Sequence, residues 1–158
     1  MTLNSFFKRT IFNFNKETAL KQRSSGQRYA LTIIRYTPEP TSVTGTFDTG
    51  TAAVTWLGVP TDSDCLVEAS VWRDNVSLGD FCLWCSEAYA VARIGEHRDH
   101  NASNLNGPIP INNVISFKDD DGSLYTPSSE LVLPREAGIR AIHTWLIDLE
   151  HPGFLHWS

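Results

Sequence analysis

Three β-like stretches follow one another closely in the middle of this chain, and this arrangement constrains the fold more than any other feature. They cover residues 65–72, 78–85 and 87–94, and Val, Ile, Tyr, Trp and other strand-favouring residues recur in them. Only a few residues separate each stretch from the next. Parallel neighbours need a long crossover, whereas antiparallel neighbours need only a tight turn, so the spacing predicts an antiparallel meander.

Weaker strand signals flank this meander. Residues 95–113 are rich in Asn, Gly and Pro and are predicted to form a loop. The further strands that we predict cover residues 28–36, 51–57, 114–117, 124–125 and 154–157.

The clearest helix signal covers residues 134–149. Proline suits the first helical position because its missing N–H is not needed there, and Pro152 and Gly153 end the helix. An apolar stripe recurs at helical spacing; its members are Ile139, Ile142, Leu146 and Leu149. The whole pattern predicts an α+β fold, a mainly antiparallel sheet with a C-terminal helix packed on it and a short final strand.

The chain has 158 residues, which suits one domain whose core needs no metal or disulfide. We predict a single domain over residues 1–158, in which residues 1–27 form a helical or flexible basic arm. The sequence shows neither the apolar run of a signal peptide nor a stretch long enough to span a membrane, so we expect a cytoplasmic protein.

The charge of the chain is unevenly distributed. The net charge is −5, but residues 1–36 carry +6, which leaves −11 for the remaining 122 residues. An acidic body disfavours direct binding of nucleic acid, because phosphate contacts need clustered Lys and Arg. It suits a basic protein partner, since opposite fields raise the encounter rate. Acidity that serves solubility alone would produce the same composition.

The sharpest metal-like pattern is Cys82-x-x-Cys85 followed by His97-x-x-His100. Thiolates and imidazoles at paired spacings are the ligands of a tetrahedral zinc site. An odd separation within a strand points two side chains to opposite faces of the sheet, however, which argues against a shared ion. Two interpretations stay open: a small zinc-binding module with these four ligands, or cysteines that act as small buried apolar residues.

No motif for catalysis or cofactor binding is present. The sequence has no Gly-x-Ser-x-Gly elbow, no phosphate-binding loop, no dinucleotide fingerprint and no His-Glu-x-x-His. We therefore predict a protein that is not an enzyme and needs no cofactor.

An acidic turn follows the meander. Asp119, Asp120 and Asp121 stand before Gly122, and Asp-Gly between two strand-like stretches is a strong hairpin signal. The tip is either only a solvated turn or also a contact for Lys and Arg of a partner, and the two interpretations are compatible.

The last 45 residues resemble the C-terminal half of the type 1 immunity proteins of bacterial polymorphic toxin systems. The resemblance covers about half of the chain and is dense from Val114 onward. It is carried by Val114-Ile115-Ser116-Phe117, the acidic glycine turn, Leu131-Val132-Leu133-Pro134, the helix residues Ala137, Ala141, Trp145 and Leu146, and the ending His151-Pro152-Gly153-Phe154-Leu155-His156-Trp157-Ser158.

The resemblance implies an immunity protein, or antitoxin, of interbacterial competition that binds a cognate toxin one-to-one and blocks its active site. Toxins that act on nucleic acid, such as deaminases and nucleases, are among the partners of this family. Asp119, Asp120 and Asp121 are our candidates for charge contacts with such a toxin. Binding hot spots are enriched in Trp, Tyr and Arg, so the candidate anchors are Trp84, Tyr89 and Trp72, each of which also suits a core position.

Overall fold

The computed structural model describes residues 26–58, 64–95 and 99–158, and in these ranges an antiparallel sheet forms the body of the protein. In chain order the elements are β1 (Gln27–Arg35), β2 (Thr41–Phe47), α1 (Gly50–Trp56), β3 (Cys65–Arg73), β4 (Val76–Cys85), β5 (Tyr89–Gly95), β6 (Asp99–Asn104), β7 (Phe117–Lys118), β8 (Leu124–Tyr125), a 3₁₀ turn (Ser129–Leu131), β9 (Leu133–Pro134), α2 (Arg135–Asp148) and β10 (Leu155–Trp157). The strands of the sheet are arranged in the order β10-β6-β5-β4-β3-β1-β2, β9 pairs with β5, and β7 and β8 form a separate hairpin.

The α+β prediction is confirmed, including the meander, the C-terminal helix and the short final strand. Strands β3, β4 and β5 are consecutive and antiparallel, as their short connections require. None of the helices in the described ranges is long and apolar enough to cross a bilayer.

Both faces of the sheet are covered at its centre, since all of residues 65–72 are buried. We call the side that packs against α1 and α2 the helix face, and its core includes Leu31, Phe81, Leu83 and Trp145. We call the opposite side the hairpin face, because Phe117 of β7 and Tyr125 of β8 pack there. The hairpin-face core is smaller, and its buried members are Ile34, Tyr36, Leu66, Cys82, Trp84, Val91 and Phe117.

Helix α2 begins after Pro134 and ends at Leu149, which adopts the left-handed conformation with φ of 55°. The N–H of Leu149 bonds to the carbonyl of Trp145 and closes the last turn. The buried stripe differs slightly from the prediction, because Ile139 and Leu149 are only half-buried. The stripe consists of Gly138, Ala141, Ile142, Trp145 and Leu146.

The strand that we predicted over residues 51–57 is wrong, because the helix α1 occupies this segment. Thr49 caps the helix by accepting a hydrogen bond from the N–H of Ala52 at 3.1 Å. The ring of Trp56 lies 5.3 Å from that of Phe47 and fixes the helix against β2. The Thr, Val and Trp residues here favour strands, but the cap and this packing override their preference.

Three strands lie outside the predictions. Strand β2 was not predicted, and β6 lies inside the segment 95–113 that we expected to be a loop. Strand β9 includes Pro134, which we predicted as the first residue of the helix. The sequence of β6 is polar and lacks strand-favouring residues, but β5 and β10 pair with it on either side. The predicted basic arm covers residues 1–27, of which residues 1–25 lie outside the described residues. Of the last two, Gly26 precedes the sheet and Gln27 is the first residue of β1.

We predict that Gly138→Ala lowers the free energy of unfolding, although alanine is the better helix former. A Cβ atom at this position would lie 2.6 Å from the Cβ of Ala90 and 2.9 Å from a methyl carbon of Leu83. Overpacking of this kind costs about 1–3 kcal/mol. Urea denaturation measures the loss, and Gly153→Ala is the control because a Cβ there meets nothing within 4 Å. Equal stability of both variants and the wild type would contradict this packing.

Candidate functional site

The acidic hairpin is held in a defined turn. The N–H of Asp119 donates to the carbonyl of Ser123, and the N–H of Gly122 donates to the carbonyl of Asp119, both at 2.9 Å. Gly122 has a φ of +80°, which a residue with a side chain rarely adopts. The Asp-Gly signal therefore predicted the hairpin correctly, and the turn places three consecutive carboxylates on the hairpin face of the sheet.

Trp84 lies directly beneath this turn. Its indole N–H donates to a carboxylate oxygen of Asp119 at 3.3 Å, and its ring lies 5.2 Å from that of Tyr125 in β8. The guanidinium of Arg93 lies 5.2 Å from the Trp84 ring centre. Tyr36 donates its hydroxyl proton to the carbonyl of Asp119 at 2.5 Å. The hairpin is thus fixed to the sheet by one aspartate and two aromatic rings.

The three aspartates differ in exposure and therefore in what they can do. Asp119 is half-buried and its carboxylate accepts from Trp84 and from the N–H of Asp120. Asp120 is half-buried too, and desolvation and the neighbouring Asp119 raise its pKa. Asp121 is exposed, and its hydrogen bond from Ser123 lowers its pKa, so it is ionised at neutral pH. Asp121 is the residue of the three that a partner can reach most directly.

The candidate anchors Trp84 and Trp72 lie in the interior. Trp84 is 1% exposed and Trp72 is 8% exposed, so both rings serve the core and we do not carry them over as contacts for a partner. Tyr89 is half-buried at the start of β5 and packs against the hairpin-face core. The strands that carry Trp72 and Trp84 lack the alternation of apolar and polar residues that is typical of a strand with one buried face, because β3 and β4 are covered on both faces.

Two exposed apolar residues in and before the hairpin were missed. Val114 is 81% exposed and Leu124 is 70% exposed, although both lie in or next to the hairpin. The register could have identified Leu124, since Tyr125 packs inward and the adjacent residue of a strand points outward. Val114 also lines a groove of about 390 Å³, together with Ile111, Asn112, Asn113, Ile115, Thr126, Pro127, Ser129 and Val132. We call the groove, Val114, Leu124, Asp120 and Asp121 the hairpin surface.

A cluster of acidic side chains is buried in the sheet near the hairpin. Glu68 of β3 is 5% exposed, and Asp80 of β4 is half-buried. One oxygen each of Glu68, Asp80 and Asp120 is buried without a hydrogen-bond partner in the described part of the chain. Burial, followed by the negative charges of Asp120, Asp119 and Asp80, raises the pKa of Glu68 to about 8. Glu68 is therefore mostly protonated at neutral pH.

The alternative zinc set is not assembled. Cys82 lies in the hairpin-face core and Cys85 in the helix-face core, so the two thiols point to opposite faces, as their odd separation predicts. His97 lies outside the described residues, and the ring of His100 packs edge-to-face against that of His151, with ring centres 4.9 Å apart. In the described ranges no group of three or more His, Cys, Asp or Glu side chains is placed to hold a metal ion.

Cys85 instead faces Cys65 across the β3–β4 pair, and both are free thiols that are 1% exposed. The hydrogen bond from the Cys85 thiol lowers the pKa of Cys65, with a further contribution from Arg135, whereas the same contact and burial raise the pKa of Cys85. A nucleophilic role needs access to a substrate, which this burial prevents.

Comparisons with known proteins assign no family to the chain. No protein-family model matches the sequence, and no curated protein matches it.

Replacing Glu68 with Gln is expected to stabilise the protein at alkaline pH. The folded pKa of about 8 lies above the ordinary value of 4.5, so the stability that protonated Glu68 provides is complete below pH 4.5 and is lost as the pH rises through 8. Near pH 8 the free energy of unfolding of Glu68→Gln should exceed that of the wild type by on the order of 4 kcal/mol, and near pH 4.5 the two should agree. Urea denaturation at both pH values measures this, with the exposed Glu87→Gln as control. A pH-independent difference would show that Glu68 is not the titrating group.

Substitutions of Asp119 and Asp121 should change the free energy of unfolding by different amounts. Asp119→Ala removes the acceptor of the Trp84 indole and of the Asp120 N–H, and it should lower the free energy of unfolding by about 1–3 kcal/mol. Asp121→Asn should change it by less than about 0.5 kcal/mol, since Asp121 is at the surface. Thermal unfolding of both variants tests the contrast, and comparable losses would show that the carboxylate of Asp119 does not fix the hairpin.

Proposed function

We propose that this protein is an immunity protein that binds a cognate bacterial toxin one-to-one through the hairpin surface and inhibits it by covering its active site. The observation that carries the proposal is the exposure of Val114 (81%) and Leu124 (70%) before and in the hairpin that also carries the exposed Asp121. An apolar centre with a charged rim is the usual anatomy of a protein–protein interface. The C-terminal resemblance to type 1 immunity proteins names the class of partner.

The apolar part of the hairpin surface is concave, because it includes the groove. Ile111, Ile115 and Val132 line it together with Val114. A side chain of the partner that enters the groove is desolvated on several sides, and interface hot spots lie in pockets of this kind. Apolar burial in the groove therefore supplies the affinity in this proposal.

The carboxylates supply orientation and a fast encounter. Residues 37–158 carry a net charge of −11, and the exposed Asp121 is ionised at pH 7, so the hairpin adds negative charge to an acidic body. A toxin that acts on nucleic acid holds phosphates with Lys and Arg. Carboxylates of Asp120 and Asp121 would bind these same groups, and a deaminase or nuclease is therefore the toxin class that we propose.

In this proposal the protein works in the cytoplasm of the producing cell, where the toxin's targets lie, and its role requires neither catalysis nor a cofactor. We do not propose the zinc-binding alternative, because Cys82 and Cys85 face opposite sides of the sheet.

The test is co-purification with the product of the neighbouring gene, followed by an assay of that product's toxic activity. We expect a stable one-to-one complex in which the activity is lost. Leu124→Ala should weaken the complex by about tenfold, because truncation of a central apolar contact costs about 1–2 kcal/mol. Ile147→Ala is the matched control, since Ile147 is also exposed (51%) but lies on α2.

The outcomes of this experiment test the immunity function and the location of the contact surface separately. If the neighbouring product neither binds nor loses activity, the immunity function is wrong. If it is inhibited and Leu124→Ala binds as well as Ile147→Ala, the function stands and the contact surface lies elsewhere.

A further inference from the structure

Strand β2 forms one edge of the sheet and is open to solvent. It pairs with β1 on one side, and in the described part of the chain no strand pairs with its other side. Thr41, Ser42, Val43 and Thr44 are all exposed, Val43 by 52%. Alternate backbone N–H and C=O groups of such an edge point away from the sheet and are ready to pair with another strand.

Strand β2 lacks three of the devices that usually protect a sheet edge, namely charge, proline and a bulge. Its sequence, TSVTGTF, contains neither a charged residue nor proline. The seven residue pairs with β1 run without a register shift, so no bulge twists the edge away. The opposite edge of the sheet differs, because β10 has only three residues there. The long, regular and uncharged edge is thus confined to β2.

We propose that β2 is a self-association site, at which two copies of the chain pair their β2 strands antiparallel about a two-fold axis through Thr44. In this register Ser42 lies opposite Thr46 of the second copy, and Thr44 lies opposite its own counterpart. Hydroxyl-bearing pairs of this kind stabilise antiparallel sheets, and Thr44 already forms one with Thr32 at 3.0 Å within the chain.

The other face of β2 is equally self-complementary in this register. The exposed Val43 lies opposite Gly45 of the second copy, where the rings of Phe47 and Trp56 cover the glycine and offer an apolar contact, and Thr41 lies opposite Phe47. Beyond the strand, Asp48 lies opposite Pro40, so no like charges meet at the ends. An isologous contact of this kind closes a dimer, whereas a contact between two different surfaces would extend into a chain.

Sedimentation measured over about a hundredfold range of protein concentration tests the association. We expect a monomer–dimer equilibrium for the wild type. Val43→Lys should weaken the dimer by about tenfold or more, because it brings two like charges to a short two-fold contact. Val76→Lys is the matched control, since Val76 is also exposed (63%) but lies in the β3–β4 hairpin. A wild type that stays monomeric throughout, or a dimer that Val43→Lys leaves unchanged, would overturn the proposal.

Cysteine cross-linking tests the register independently. The native cysteines Cys65, Cys82 and Cys85 are buried, so Thr44→Cys introduces the reactive thiol. A short thiol-specific cross-linker should join two copies of Thr44→Cys and not two copies of Thr46→Cys, whose residues 46 lie on opposite sides of the two-fold axis. Equal cross-linking of both variants would rule out this register. Cross-linking of Thr44→Cys to the toxin alone would show that the edge serves the toxin and would also overturn the proposal.

Discussion

The contact between Trp84 and the acidic hairpin is the interaction on which the candidate site depends. Trp84 belongs to a central strand, is 1% exposed, and contacts Asp119, Tyr125 and Arg93 at once. A short hairpin with two-residue strands is not stable alone in water. Packing on the buried ring of Trp84 therefore stabilises the hairpin. A preformed contact surface loses less conformational entropy when a partner binds.

The buried acidic side chains near the hairpin reduce the free energy of unfolding. A stability-driven fold would put an apolar or fully paired side chain where Glu68 is buried, because an unpaired buried polar group costs free energy. Glu68 limits the cost by remaining protonated at neutral pH. Violations of this kind are expected near functional sites. The buried carboxyl group of Glu68 and the exposed side chains of Val114 and Leu124 are thus two separate reasons to place a functional site on the hairpin face.

The sequence was informative where patterns are local and ambiguous where tertiary contacts decide. The β3–β5 meander, the Asp-Gly hairpin and α2 follow from spacing, turn chemistry and helical periodicity. The helix α1 was mistaken for a strand because its cap and its packing on Phe47 are needed to overrule Thr, Val and Trp. At the site, the sequence identified the acidic turn but not the division of roles within it. Only contacts with Trp84 and Tyr36 show that Asp119 supports the turn while Asp121 faces outward.

Amide hydrogen exchange of the protein, alone and in complex with the neighbouring toxin, reports the contact surface without any substitution. Binding through the hairpin surface should slow exchange mainly in residues 111–132, which include the groove and the acidic turn, and should leave the outer face of α2 around Ile147 unchanged. Protection confined to α2 or to another surface, with the hairpin unaffected, would contradict it.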